Sequence, residues 1–236
     1  RIVTSPLVAT ATVGSSYTYN TSAVGSPSGY TILNLPGGLQ FNPSNGQVTG
    51  TPTVAGTFPV SLVINYSDDD GNLTDSDSNP DQLGSLFPPQ NPGDRPQVIL
   101  NLTVNAVAPT VTTLAASSIE ATKASFDGNV TNTGGDAPDI RIYYGTSDGG
   151  TTASNWASVK EIGKKGTAFA EVIGDLIPST TYHYRVRAYN SASTDGVWAS
   201  SSVSFSTQAS NKPVVNNGSV LNGTGISITF KGGVSS

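Results

Sequence analysis

Apolar and polar residues alternate one for one through much of this chain, in short runs broken by glycine, proline and asparagine. Phe58, Val60, Leu62 and Ile64 alternate in this way, as do Val98, Leu100, Leu102 and Val104. A third run sets Tyr182, Tyr184, Val186 and Ala188 on one side and His183, Arg185, Arg187 and Tyr189 on the other. A period of two marks a strand with one buried face, because successive side chains point to opposite sides of a sheet. Between the runs, Asn45-Gly46, Gly50 and Gly56 supply the positive φ that lets the chain turn. The pattern predicts an all-β chain of short strands packed as face-to-face sheets.

Composition narrows the function classes. The 236 residues contain no Cys, which excludes disulfides, thiolate nucleophiles and Cys-ligated zinc. They contain no Met, as expected of an internal or processed segment. The net charge is −5, which argues against nucleic acid as a partner. No run of 18 apolar residues is present, so no membrane insertion is expected in this segment. No signal peptide is visible in the sequence, and any export signal is expected outside this segment or removed.

Residues 1–106 carry Leu33-Asn34-Leu35-Pro36-Gly37-Gly38-Leu39-Gln40-Phe41-Asn42, then Asn45-Gly46-Gln47-Val48-Thr49-Gly50-Thr51-Pro52, then Ala55-Gly56-Thr57 and a long strand. After an opening at Ile2-Val3-Thr4-Ser5-Pro6-Leu7, this order resembles the Putative Ig domain family of bacterial surface proteins. The resemblance implies a cadherin-like or Ig-like sandwich and no shared catalytic site. Residues 67–96 depart from it, standing where a short hairpin is expected. There is no lysine in 1–106, which excludes a lysine–asparagine isopeptide cross-link within that stretch.

After the linker Val107-Ala108-Pro109, strands are predicted at 124–130, 140–144, 157–162, 168–173, 182–189 and 203–207. Loops are predicted at 131–139 and 191–197, beside the linker. The run Leu176-Ile177-Pro178-Ser179-Thr180-Thr181-Tyr182 resembles the entry to the sixth strand of fibronectin type III domains. That resemblance makes Tyr182 the corner tyrosine, its hydroxyl bonded back to nearby backbone.

Residues 212–235 repeat the start of that unit without a gap: Pro109 aligns with Pro213, Val111 with Val215, Phe126 with Phe230 and Val130 with Val234. The expected organisation is tandem immunoglobulin-like β-sandwiches at 1–106 and 108–208, with 210–236 as the first two strands of another. Two strands bury no core alone. Either the array continues, or Ile226, Ile228 and Phe230 form a donated strand that completes a sheet in a neighbouring chain.

No catalytic residues are assigned. The single histidine, His183, lies on the polar side of its strand. A Ser-His-Asp triad needs a serine and a buried acid beside it, which no motif marks.

Calcium is the one cofactor considered. Every acid of 1–106 lies between Asp68 and Asp94, and Asp68, Asp69, Asp70, Asn72, Asp75, Asp77 and Asp81 supply oxygens close in sequence, with Gly71 as a turn. The spacing is not that of an EF-hand, and a solvated acidic loop is the competing reading. Asp136, Asp139 and Asp195 in the loops beside the linker are a lesser cation-site candidate, with ordinary turn acids as the competing reading.

For a partner, the outward strip Arg141, Tyr143, Arg185, Arg187 and Tyr189 is a candidate surface for an acidic glycan or protein. Its competitor is the polar outer face that any sandwich strand has. The expected role is non-catalytic: a spacer or adhesion rod in a secreted or cell-surface protein, partnered by neighbouring Ig-like modules in cis or in trans. One alternative is a filament subunit joined through 210–236. The other is a carbohydrate-binding accessory region of a secreted hydrolase, which needs an exposed aromatic platform. Trp156 and Trp198 are the only tryptophans, and loss of polysaccharide binding on mutating Trp156 or Tyr143 would favour it.

Overall fold

The computed structural model describes residues 3–24, 27–66, 97–210, 214–217 and 232–235. Among these, strands are joined by turns, with one 3-10 turn at Ala153–Asn155.

The first set of strands is β1 (Val8–Thr12), β2 (Tyr17–Asn20), β3 (Pro27–Leu33), β4 (Leu39–Asn42), β5 (Gln47–Gly50), β6 (Gly56–Tyr66) and β7 (Gln97–Asn105). One sheet runs β1-β7-β6-β3 and the other β2-β5-β4. β1 lies parallel to β7, and every other pairing is antiparallel. The alternation read from sequence is realised. Val60, Leu62 and Ile64 on β6 are buried, as are Leu100, Leu102 and Val104 on β7. Val48, Ala11 and Tyr19 join most of them in one core. Burying each large apolar side chain stabilises by about 1.5–3 kcal/mol. Phe58, the first residue of the alternation, is only half-buried, because β3 stops pairing at Ser61 and leaves this end of β6 with one neighbour. The same gap accommodates Pro59, which has no N–H and pairs only with β7.

The two motif segments of this unit meet backbone to backbone. Leu39 pairs with Gly50, and Thr51 N–H donates to the Gly38 carbonyl at 2.9 Å. Gly38 and Gly50 have φ of +86° and +134°, and a Cβ on either would collide with the facing backbone. Glycine is required at both positions for conformation and for room.

The second set is β8 (Thr110–Thr113), β9 (Ala124–Asn132), β10 (Asp139–Gly145), β11 (Ser158–Lys164), β12 (Ala168–Ile173), β13 (Thr181–Asn190), β14 (Ser193–Trp198) and β15 (Val203–Ser206). Sheet β12-β9-β8 packs on sheet β11-β10-β13, whose far edge carries β14 and β15. The core is aromatic. Phe126 lies 4.7 Å from Tyr184 and 5.2 Å from Phe205 between ring centroids, with Ile140, Ile142, Val186 and Ala188 around them. The Tyr182 hydroxyl accepts from Ile177 N–H at 3.1 Å, as the fibronectin resemblance implies.

One expectation is corrected. Residues 191–197 were expected as a loop, yet Ser193–Trp198 is a strand paired with β13. Its sequence has no apolar alternation. Backbone pairing holds it, with Gly196 at φ +78° directly under the Tyr189 ring, where a Cβ would lie 2.5 Å from Cε1.

The sandwiches meet end to end. Val13 follows β1, Asn105 ends β7 and Ala55 precedes β6, at one end of the first unit. The β9–β10 loop and the turn after β13 face them at the start of the second. β6 and β7 bracket residues 67–96 with Tyr66 and Gln97, at the opposite end of that strand pair from Asn105.

Beyond the second unit, β16 (Val214–Asn217) pairs antiparallel with β17 (Gly232–Ser235).

Candidate functional site

The outward strip is the one sequence-proposed site whose residues are described throughout. Antiparallel pairing sets Arg141 opposite Arg187, and Tyr143 opposite Arg185. Two arginines facing each other repel. Each is engaged separately, although Arg187 Nε is buried without a hydrogen-bond partner. Arg141 Nε lies 3.0 Å from Glu161 on β11, and its guanidinium sits 4.6 Å from the Tyr189 ring centroid. The Arg187 guanidinium lies 5.3 Å from that ring and 4.7 Å from the Trp198 ring, and Nη2 donates to the Asp195 carbonyl. Trp198 lies 4.7 Å from Tyr143, whose hydroxyl is 3.0 Å from that of Tyr189. Burial, the largest cause, raises the Tyr189 pKa, and the bond to Tyr143 adds to it.

The structure thus brings Arg141, Tyr143, Arg187 and Tyr189 together and adds Glu161 and Trp198, which the sequence reading left out of the strip. Tyr143 is only 7 % exposed although it points outward. Arg185 goes elsewhere. Its Nε and Nη2 donate to the Ala199 and Ser200 carbonyls, both at 2.8 Å. Those carbonyls lie in the break between β14 and β15, so Arg185 staples the interrupted edge. The signal for Trp198 was its place on β14, which could be found only by first recognising that strand.

Chemically, the strip is an alternation of cations and rings with its charges internally engaged. Each cation–ring contact at an exposed site is worth about 0.5–1 kcal/mol. The arrangement braces the outer face of β10, β13 and β14.

His183 pairs in register with Ser204 and Gly145. Near it, Asp148 accepts from Ser202 Oγ and from Gly150 N–H, the latter at 2.8 Å. The Ser202 bond, then the Gly150 bond, hold the Asp148 carboxyl below the usual range, with the charges of His183 and Arg185 contributing less. Serine, aspartate and histidine are therefore neighbours, but the serine donates to the aspartate itself. A nucleophilic serine needs a base on its proton, and Asp148 is an exposed carboxylate at low pKa.

Asp136 accepts from Ser191 N–H at 3.1 Å and lies 3.4 Å from Lys164 Nζ. The Ser191 backbone bond is the main cause that lowers its pKa. Asp136, Asp139 and Asp195 form no metal-binding group, and no group of three or more His, Cys, Asp or Glu side chains that could hold a metal occurs among the described residues. Trp156 and Tyr143 are each 7 % exposed, and Trp156 Nε1 lies 3.3 Å from the Gly150 carbonyl, whereas Trp198 is half-buried. The calcium candidates Asp68, Asp69, Asp70, Asn72, Asp75, Asp77 and Asp81 lie outside the described residues, as do Ile226, Ile228 and Phe230. No helix of the described residues is long and apolar enough to cross a membrane.

Residues 1–78 match the family described as Putative Ig domain, a match that ends inside the 67–96 departure. No curated protein matches the chain. Among solved structures, a short form of the sensor domain of the anti-sigma factor RsgI4 of Pseudobacteroides cellulosolvens is 29 % identical, covering 44 % of this chain and 99 % of that one, with a TM-score of 0.33. Titin domains A168–A170 are 13 % identical over 85 % of this chain and 62 % of theirs, with a TM-score of 0.34. The FN1–FN3 domains of chicken CNTN1 are 14 % identical over 88 % of this chain and 66 % of theirs, with a TM-score of 0.33. The chain is a tandem of immunoglobulin-like β-sandwiches whose residues 1–78 match the Putative Ig domain family.

Proposed function

We propose that this is a non-catalytic segment of a secreted or cell-surface protein, in which sandwiches stand end to end as a spacer or adhesion rod. The observation that carries the reading is the end-on junction. The last strand of the first unit leads through a four-residue link, Ala106 to Pro109, into the first strand of the second, and the loops that meet there come from opposite ends of the two units. Units at 1–106 and 108–208 would then recur at 210–236, and the natural partners are further Ig-like modules in cis or in trans.

Register supports the recurrence. Val111 pairs with Val130, Thr112 with Asn129 and Thr113 with Gly128. Val215 pairs with Val234, Asn216 with Gly233 and Asn217 with Gly232, at the spacing that separates Pro109 from Pro213.

Small-angle scattering of the chain tests the rod. Strands of 11 and 10 residues, β6 and β13, set end to end span about 70 Å at about 3.3 Å per residue. An extended particle with a maximum dimension of at least that length is expected. A compact particle of about half that length would mean side-by-side packing and would remove the spacer role.

A further inference from the structure

We infer that the two sandwiches move as one rigid body, locked by Gly134 and Gly135, which wedge between the linker and the end of the first unit.

The linker is held by its backbone. Val107 N–H donates to the Gly134 carbonyl at 3.0 Å, and the Val107 carbonyl accepts from Asn190 Nδ2 at 2.8 Å. Both backbone hydrogen-bonding groups of Val107 are therefore spent on the second sandwich. Asn190 is 7 % exposed and also bonds the Thr133 carbonyl at 3.1 Å, and its Oδ1 accepts from Ala192 N–H at 3.1 Å. Pro109 is fully buried. What remains of a flexible tether is Ala106 and Ala108.

A second attachment crosses between the units. Ala55 N–H, just before β6 of the first sandwich, donates to the Gly135 carbonyl at 2.9 Å. A third is packing: a Cβ on Gly135 would lie 2.5 Å from Val13 Cγ2 and 3.0 Å from Ala55 N. Val13 is itself tied by its N–H to the Asn105 carbonyl at 3.0 Å. A Cβ on Gly134 would fall on the Val107 carbonyl oxygen. Both glycines have positive φ, +71° and +85°, so conformation and space exclude a side chain at either. Their loop is set locally by Asn132 Oδ1 accepting from Gly134 N–H at 2.7 Å and Thr133 Oγ1 from Gly135 N–H at 3.2 Å. Three attachments, at Val107, Ala55 and Val13, fix an orientation that a tether alone leaves free.

The lock is one-sided. An open cleft lies between Thr57, Thr103 and Asn105 of the first unit and Asp136, Ser191 and Ala192 of the second. Rigidity therefore rests on the glycine side.

Residual dipolar couplings and amide relaxation on the whole chain test the lock. One alignment tensor and one tumbling time are expected to fit residues 8–24, 27–66, 97–105 and 110–206 together. Gly135→Val drives a side chain into Val13 and Ala55 and is expected to split the fit into two tensors, while amide shifts away from the loop hold. Val13→Asp, on the other side of the contact, is expected to do the same without touching the second sandwich, so a folding defect in the glycine variant leaves the test intact. Two tensors in the unaltered chain, or one tensor retained in both variants, would overturn the lock. An extended scattering profile combined with two tensors would leave the spacer reading standing and remove only this one.

Discussion

Tyr184 shows how much rests on one side chain. It is fully buried at the centre of the second core, yet it carries a hydroxyl. That hydroxyl donates to the Leu114 carbonyl after β8 and accepts from Asp127 N–H on β9 at 3.2 Å, so the tyrosine ties both sheets by a polar bond inside an apolar cluster. Tyr184→Phe leaves those backbone groups without this partner, and a loss of about 1–3 kcal/mol is expected in the urea midpoint, with an unchanged slope. Burial pushes the Tyr184 pKa from 10.0 to about 12. The folded state thus keeps a proton that the unfolded chain releases near pH 10. Stability from this group is full below that pH and is lost as pH rises toward about 12. The gap between wild type and Tyr184→Phe should narrow over that window. A gap that stays constant would show that the hydroxyl titrates as in the unfolded chain, and one that widens would show a lowered pKa; either would overturn the expectation.

At the scale of strands, the outer face of β10, β13 and β14 depends on a half-buried tryptophan. Trp198→Ala removes the ring contacts to Tyr143 and Arg187, with an expected cost of about 2 kcal/mol in chemical denaturation and an unchanged far-ultraviolet spectrum. A cost within error would mean that the arginines, and not the rings, hold the strip. Legibility varied from strand to strand for a physical reason. β13 could be read because period-two alternation writes the buried face directly, and Tyr182 through Ala188 are buried as that pattern requires. β14 could not, because Ser193–Trp198 owes its place to backbone pairing and to a ring lying over Gly196, and neither leaves a hydrophobic period. Tyr143 was read as outward, correctly, but its burial comes from neighbours on other strands, which sequence spacing does not encode. The grouping of Arg141, Arg187 and Tyr189 was visible from their shared face. That their charges are taken up by Glu161, the Asp195 carbonyl and the rings was not, since Glu161 lies on β11 and Asp195 and Trp198 on β14.

For the whole molecule, the informative comparison is between two hairpins in one chain. The β16–β17 pair repeats the β8–β9 register at three successive positions. In the second sandwich, β9 also pairs with β12, and a facing sheet covers the core. β16 and β17 pair only with each other among the described strands. Two strands bury no core alone; in the array reading further strands come from the same chain, and in the filament reading from another molecule. The two sources differ in mass action. Strands taken from another molecule make assembly depend on concentration, whereas a module completed in cis does not. Removing residues 210–236 therefore separates the array from the filament. In the array reading, sedimentation gives a monomer before and after the deletion, and the melting of residues 1–209 is unchanged, because the described sheets of the first two units take no strand from this segment. A mass that rises with concentration in the parent chain and falls to the monomer on deletion would overturn the array and make this hairpin the joint of a filament.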